Sequence, residues 1–440
     1  MPAGKKFPNN FSSKSLEELA DDIIQPNEFI REYVEDSNEA VPLLRAGNVR
    51  DGELDTTDLV YVAKTKLGNG FAASYIREGD ILITRTGAKA GETCMVPALD
   101  RDLIISSHSI RVIPRVGVIE PKYLELFLLS RWGKAQINRL FTGAAQKQLQ
   151  LETVAGIQIA VPSLAKQHEF VVTMDAARVT RRKKLAEADA LLAGFDGYLL
   201  AQLGLAAPAP DSRQVFAVRL GQLRDTGRVN ADYFHPERTL AIRAMEKNRK
   251  IMRVERLRDI ADFVRDAVPA ETSENYLGLA NVQSHTGELV ESTEEDGAGL
   301  CFRFAQQDVL FARLRPYLNK IHRAEKAGVC STEFHVIHIQ PAAKPQDEIR
   351  AEYLATVLRS SLVLAQTRHM MTGNTHPRLA NEDVVNLVVP IPDPKIQEAI
   401  ATEVTRRRTE ARRLRASAGA EWAAAKARFE QELLGESAKS

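Results

Sequence analysis

Thr142-Gly143-Ala144-Ala145-Gln146-Lys147-Gln148-Leu149 and, 230 positions later, Thr372-Gly373-Asn374-Thr375-His376-Pro377-Arg378-Leu379 share their borders and differ between them. The agreement widens at the same separation, for Tyr123-Leu124, Pro162 and Gln167 stand 230 residues before Tyr353-Leu354, Pro392 and Gln397. Upstream it continues with small shifts, as loops of unequal length would produce. Asn48-Val49 matches Asn281-Val282, Gly52-Glu53-Leu54 matches Gly287-Glu288-Leu289, Asp80-Ile81-Leu82 matches Asp308-Val309-Leu310, and Arg85 matches Arg313. So many ordered matches mark a duplication. Two copies are too few for a solenoid, so the chain reads as a tandem pair of domains.

Each copy has the same grammar. Runs rich in β-branched residues, bounded by Gly, Pro or charge, predict strands over Ile81–Thr84, Ile104–Ile113 and Ile157–Val161, and in the second copy over Val309–Arg313, Phe334–Ile339 and Leu387–Ile391. Pro121–Leu140 has helical spacing. Strands and helices do not alternate regularly, which predicts a mixed α/β (α+β) module rather than a parallel doubly wound sheet. After the proline of each copy comes a long helical pattern, Leu164–Leu203 and Pro394–Leu434, with Gly204 and Gly435 placed as helix stops. Forty residues of helix extend about 60 Å, more than one small domain could cover. The two stripes are therefore expected to pair with each other as an antiparallel coiled coil, the charged runs Arg181–Lys184 and Arg406–Arg408 falling mostly outside the seam. The expected boundaries are 1–162 and 214–392 for the domains, 163–204 and 393–435 for the helices, and 205–213 for an Ala/Pro linker. The stretch 214–250, with Asp232-Tyr233-Phe234-His235-Pro236, has no counterpart in the first copy.

Composition narrows the function without naming it. Of 440 residues 44% are hydrophobic, enough for a sizeable core, and the formal net charge of +1 does not by itself suggest a nucleic-acid binder. The near-neutral sum hides a gradient: residues 1–60 carry 13 acidic and 6 basic side chains, whereas residues 61–150 carry 13 basic and 7 acidic. Leu310–Ala324 holds Arg313, Arg315, Lys320 and Arg323 with no carboxylate among them. The three cysteines, Cys94, Cys301 and Cys330, lack the CxxC spacing of a zinc or redox site, which argues for a reducing compartment and against a disulfide framework or structural metal. With no apolar run long enough to span a bilayer and no signal-like start, a soluble cytoplasmic protein is expected.

Enzymatic patterns are weak. No Pro-Pro dipeptide occurs, as the target-base motif of an adenine methyltransferase would require, and Gly87-Ala88-Lys89-Ala90-Gly91 lacks the context of a nucleotide-binding loop. Glu92, Asp100 and Lys89 do not repeat in the second copy, so they carry no metal-nuclease signature. His335 and His338, three apart on a strand, point to opposite faces. Ser106-Ser107-His108 has no acid partner for a triad. No catalytic residue, metal or cofactor is expected.

The succession Gly79-Asp80-Ile81-Leu82-Ile83, Thr142 to Lys147, and Ile159-Ala160-Val161-Pro162 with Gln167 opening a long helix resembles the target-recognition domain and spacer of the specificity subunit of Type I restriction-modification systems. Asp308-Val309-Leu310, Thr372 to His376, Val389-Pro390-Ile391-Pro392 and Gln397 resemble it again. The resemblance implies a non-catalytic subunit that reads a split sequence in double-stranded DNA, one part per domain. Its helices would set the spacing and dock two copies of an adenine methyltransferase subunit, with a translocating nuclease subunit as a further partner. Readers of DNA need cations for phosphates and paired donors or acceptors for base edges. The residues suited to that work are Arg85, Lys89, Gln146, Lys147 and Gln148 in the first copy. In the second they are Arg313, Arg315, Tyr317, Lys320, Asn374, His376 and Arg378. A self-contained nuclease or a coiled-coil scaffold are the alternatives, and a purified chain inert toward DNA with magnesium and S-adenosylmethionine would separate the first of these from a recognition subunit.

Overall fold

The computed structural model describes residues 11–67, 71–142, 147–248, 252–269, 275–292, 299–373 and 376–434. The chain forms two compact units, residues 1–183 with 417–440, and residues 184–416. Both are mixed α/β, and each holds segments of both long helices.

In the first unit, strands Ala20–Ile24, Ser109–Pro114, Ile81–Thr84 and Thr93–Met95 lie side by side in that order as an antiparallel sheet. A second sheet orders Ile104–Ile105, Ala40–Leu44, Val60–Ala63 and Tyr33–Val34, and Ser12–Ser15 pairs with Gln158–Val161. The run Ile81-Leu82-Ile83 shows why a wholly apolar strand is needed. Alternate side chains leave opposite faces, so Ile81 and Ile83 enter the core under the helices, while Leu82 joins Leu44, Val49, Cys94 and Ile105 on the other side.

The single strand expected over Ile104–Ile113 is instead two. Ile104 and Ile105 pair in parallel with Leu43 and Leu44, whereas Ser109–Pro114 belongs to the other sheet. Pro121–Leu140 likewise divides into Pro121–Leu129 and Arg131–Arg139. The break is chemical: the Ser130 hydroxyl donates to the Phe127 carbonyl at 2.6 Å, ending one helix, and accepts from the Gly133 amide at 3.3 Å, capping the next.

The second unit repeats this plan. Ala261–Val264, Phe334–Ile339, Val309–Ala312 and Ile321–Arg323 form one sheet, Ala267–Pro269, Leu300–Phe304, Gly328–Ser331 and Tyr276–Leu277 another, and Met252–Arg256 pairs with Val388–Pro392. Helices Ala351–Arg359 and Ser361–Thr367 meet at Ser360, whose hydroxyl donates to Val357 at 2.6 Å. The stretch without a counterpart supplies two further helices, Leu220–Thr226 and Pro236–Lys247.

The matched residues are anchors. Tyr123 and Tyr353, both fully buried, donate to the carbonyls of Ala160 and Pro390 at 2.6 and 2.7 Å. Gln167 donates to Pro162 at 2.9 Å and accepts from the Glu120 amide at 2.9 Å; Gln397 donates to Pro392 at 3.0 Å and accepts from the Arg350 amide at 3.1 Å. Each pair ties the start of a long helix to the domain before it.

The long helices run antiparallel within each unit. In the first, Phe170 meets Phe429 edge-on at 5.1 Å, Lys166 lies 2.8 Å from Glu432, and Arg178 and Arg181 stand over Trp422. In the second, Arg415 lies 2.8 Å from Asp189 and Arg407 donates to the Gly194 carbonyl at 3.0 Å. That last contact interrupts the expected continuous helix, which is Leu164–Ala193 followed by Phe195–Leu203. A Cβ at Gly194 would meet the Arg407 guanidinium at 2.9 Å, a crowding that the flexible end of that side chain would have to relieve. Arg408, in a charged run expected mostly outside the seam, is buried against the domain. Gly435 falls outside the described residues. Among the described residues no helix is long and apolar enough to cross a membrane.

Candidate nucleic-acid interface

In each unit the central sheet ends in a loop, and the loop is tied to a hairpin. The loop of the first unit is Gly87–Gly91, the turn between Ile81–Thr84 and Thr93–Met95. Gly87 and Gly91 both hold positive φ, and the Gly91 amide donates to the Thr84 carbonyl at 2.8 Å. It is a strand-connecting turn. Arg85 stands at its entrance, its amide donating to His108 at 2.8 Å, its carbonyl accepting from the Leu149 amide at 3.0 Å, and its Nε donating to the Ser107 carbonyl at 2.8 Å.

The hairpin closes on Thr142 and Gln148, whose amides donate to each other's carbonyls at 2.9 and 3.1 Å, and Gln148 also bridges Thr86. The Thr86 hydroxyl in turn lies 2.7 Å from His108 Nδ1. Arg85, Gln148, Thr86 and His108 are therefore brought together. Lys147 is exposed beside the ring of Phe141, and Lys89 is exposed with Glu92 at 2.8 Å. Gln146 lies outside the described residues.

The second unit repeats the backbone bonds. Thr372 and Arg378 exchange amide-to-carbonyl bonds at 3.0 and 2.9 Å, the Leu379 amide donates to Arg313 at 3.0 Å, and the Arg313 amide donates to Glu333 at 2.8 Å. The side chains differ. Arg378 forms a two-pronged pair with Glu333, Nη2–Oε1 2.6 Å and Nε–Oε2 3.1 Å, which holds its guanidinium further into the charged form, and Arg313 approaches the same carboxylate at 3.9 Å.

Arg315 is exposed in a left-handed turn, its amide donating to Pro377 at 2.7 Å, so it adjoins the exposed His376. Tyr317, in the same turn, is 49% exposed. Lys320 folds inward, donating to the Leu279 carbonyl at 2.7 Å, and Asn374 lies outside the described residues. Arg313, Arg315 and Arg378 thus share one edge with His376, while Lys320 braces the loop from behind.

Sequence reasoning missed Glu333 and Thr86, and weighed His108 only as a member of a triad. Glu333 lies beyond the carboxylate-free run that drew attention to Arg313, and nothing in its local pattern announces a partner 45 residues on. His335 and His338 separate as their spacing requires. His335 is buried, where desolvation and then the charges of Arg313 and Arg265 push its imidazole down to about 4; His338 is half-exposed and 2.8 Å from Asp308.

Two sheets carrying a basic edge, with a short hairpin presenting amide, imidazole and guanidinium groups, is an arrangement able to hold phosphates and read base edges. Residues 8–185 match the family model described as the Type I restriction modification DNA specificity domain. The resemblance is to specificity subunits of Type I restriction enzymes. The chain is 28% identical over 149 residues to the EcoBI specificity subunit of Escherichia coli, covering 34% of this chain and 29% of that protein. It is 28% identical over 146 residues to the StySPI specificity subunit of Salmonella potsdam, covering 32% and 30%. The matched stretches thus span under a third of these relatives. Among solved structures, the S subunit of a Type I restriction-modification system from M. genitalium aligns over 98% of this chain and 97% of its own, at 12% identity and a TM-score of 0.46.

Proposed function

We propose that the chain is a non-catalytic DNA-reading subunit of a Type I restriction-modification complex, in which each unit recognises one part of a bipartite target in double-stranded DNA. The observation that carries the reading is the paired hairpin: identical backbone bonds hold Thr142–Gln148 and Thr372–Arg378, yet one presents Lys147 and Gln148 and the other His376 and Arg378. A constant frame with exchanged side chains is what two readers of different sequences need. Lys89, Lys147, Arg313 and Arg315 would neutralise phosphates, and Gln146, Gln148, Asn374, His376 and Arg378 would address bases, with Arg85, Tyr317 and Lys320 shaping the edge. The paired long helices would space the two readers and dock two copies of an adenine methyltransferase subunit, a translocating nuclease joining the same assembly.

Domain exchange tests this. Replacing residues 250–392 by the equivalent domain of a relative should change one half of the methylated sequence and leave the other half intact. A change in both halves, or in neither, would refute independent reading. Incubation of the purified chain with DNA, magnesium and S-adenosylmethionine should leave the DNA unaltered, and cleavage or methylation by the chain alone would show that it is an enzyme.

A further inference from the structure

Asp232-Tyr233-Phe234-His235-Pro236, the motif without a counterpart in the first copy, ends against His369. His235 caps helix Pro236–Lys247, and His369 follows helix Ser361–Thr367, only three residues before the recognition hairpin. The two imidazoles stack with centroids 3.5 Å apart and planes inclined by 20°. Beside them lies Glu237, 2% exposed, whose Oε2 is 3.0 Å from His369 Nε2. One ligand atom from each of His235, Glu237 and His369 lies within 4.8 Å of the others, the group of His, Cys, Asp or Glu side chains so gathered among the described residues.

We infer that His235, Glu237 and His369 form a binding site for a divalent transition metal of the zinc class, clamping the extra helix of the second unit to the base of its recognition hairpin. Two imidazoles and one carboxylate are a donor set that zinc accepts, with water completing a four-coordinate shell, and one of the two stacked rings would turn on binding so that both in-plane lone pairs meet the ion. The surrounding bonds suit this role. The His235 ring is bonded to the backbone of Arg213, and its Nδ1 receives only a long 3.3 Å approach from the Glu237 amide, so that lone pair is weakly engaged.

A ring nitrogen held by a backbone group orients a histidine for ligation through the other, and here that other nitrogen would exchange its long cap bond for the ion. Glu237 divides its oxygens, Oε1 taking Arg368 at 2.6 Å and Oε2 facing His369. Arg368 is the cation that opposes a metal here, and it is half-exposed and engages the far oxygen. Asp211, the other nearby carboxylate, is occupied by Arg213. Cysteine spacing, the basis for expecting no metal, could not detect ligands 132 residues apart.

The inference is independent of the DNA-reading proposal, and its test reads metal alone. The tag-free full chain, stripped with chelator, is titrated with Co²⁺ and followed by visible absorption. One equivalent should bind with the absorption of a low-symmetry site, Zn²⁺ should displace it, and free Zn²⁺ should raise Tm. His369→Gln and Glu237→Gln should each weaken Co²⁺ binding at least about tenfold, whereas His338→Gln, at a histidine paired with Asp308 alone, should titrate as the parent does. A parent chain that develops no visible band and no Zn²⁺-dependent rise in Tm overturns the inference, and so does a His369→Gln chain that binds like the parent.

Discussion

Replacing Arg408 by alanine removes a guanidinium that joins the helix Pro394–Leu434 to two buried carboxylates of the second unit. Arg408 is 6% exposed; its Nη1 donates to Glu352 at 3.0 Å, its Nη2 donates to the Thr286 carbonyl at 3.1 Å, and its Nε stands 3.0 Å from Glu288 as an ion pair without hydrogen-bond alignment. Removing one partner of a buried pair costs about 3–5 kcal/mol when it strands the other charge. Neither carboxylate is stranded here, because Arg412 remains 2.8 Å from Glu288 and Arg323 remains 2.7 Å from Glu352. The expected cost therefore falls below that range, at about 2 kcal/mol, the worth of hydrogen bonds to charged groups.

In a Glu352→Gln background the same substitution should cost less by about 1 kcal/mol or more, since the two groups are in contact. Urea denaturation at pH 7 measures both, and hydrogen exchange should show lost protection in Glu403–Ala411 and Ala351–Arg359. The pH dependence has a fixed sign. Burial raises the Glu352 carboxyl, but Arg408, Arg359 and Arg323 outweigh it and hold it below the ordinary value. The stability it contributes is complete above the unfolded value, near 4.3, and is lost as pH falls through the folded one. A cost under about 1 kcal/mol for Arg408→Ala, the worth of a surface pair, would refute the buried-network reading.

Other outcomes follow from the same structure. His335, held at about 4 against an ordinary 6.5, stays neutral in the folded state while the unfolded chain protonates, so stability should fall by about 3 kcal/mol between pH 6.5 and 4; His335→Phe should flatten that slope in urea titrations. Gly287→Ala should cost at least about 2 kcal/mol in the same assay, because φ is +69° and a Cβ would lie 2.0 Å from the Ile321 carbonyl oxygen. Lys147→Ala or Arg315→Ala should weaken DNA binding about equally on all sequences and lower the salt slope by roughly one. Gln148→Ala or Arg378→Ala should relax discrimination at one position by about 1–3 kcal/mol in competition binding. Native mass measurement at saturation should find two methyltransferase copies per chain, and one copy would refute a two-fold docking surface.

The duplication and the helices were legible because their causes are local or periodic. A fully buried strand must be apolar along its length, as Ile81-Leu82-Ile83 is, and a long helix needs a continuous stripe, which Phe170, Met174, Ala188 and Leu192 provide. What stayed hidden depends on contacts between distant residues. Ser130 reads as one polar residue in a helical run, and only its two bonds show the break. Gly194 lies within the helical pattern Leu164–Leu203, and only the structure shows Arg407 on its carbonyl. Arg406-Arg407-Arg408 reads as a solvated run, because the carboxylates that draw Arg408 inward, Glu288 and Glu352, are 120 and 56 positions away. Long-range ion pairing has no period, so hydropathy patterning cannot reveal it.

The two copies also show which residues the duplicated unit must keep. Tyr123 and Tyr353, Gln167 and Gln397, and Ser130 and Ser360 make the same bonds in each unit, and each bond satisfies a backbone group where one element ends and the next begins. Losing such a partner would leave a buried carbonyl or amide unpaired, at about 1–3 kcal/mol each. The hairpin residues face no such requirement. Gln148 and Arg378 share their backbone bonds to Thr142 and Thr372, which any residue but proline could make, and so their side chains are free to differ. Glu333 fills the resulting difference: it engages Arg378 in the second unit, where the first unit brings Thr86 and His108 to the Gln148 edge. Under the proposed function, selection on sequence reading can therefore act on the hairpins without disturbing the anchors. This is why the frame remains recognisable at a constant 230-residue separation while the residues suited to touching DNA do not repeat.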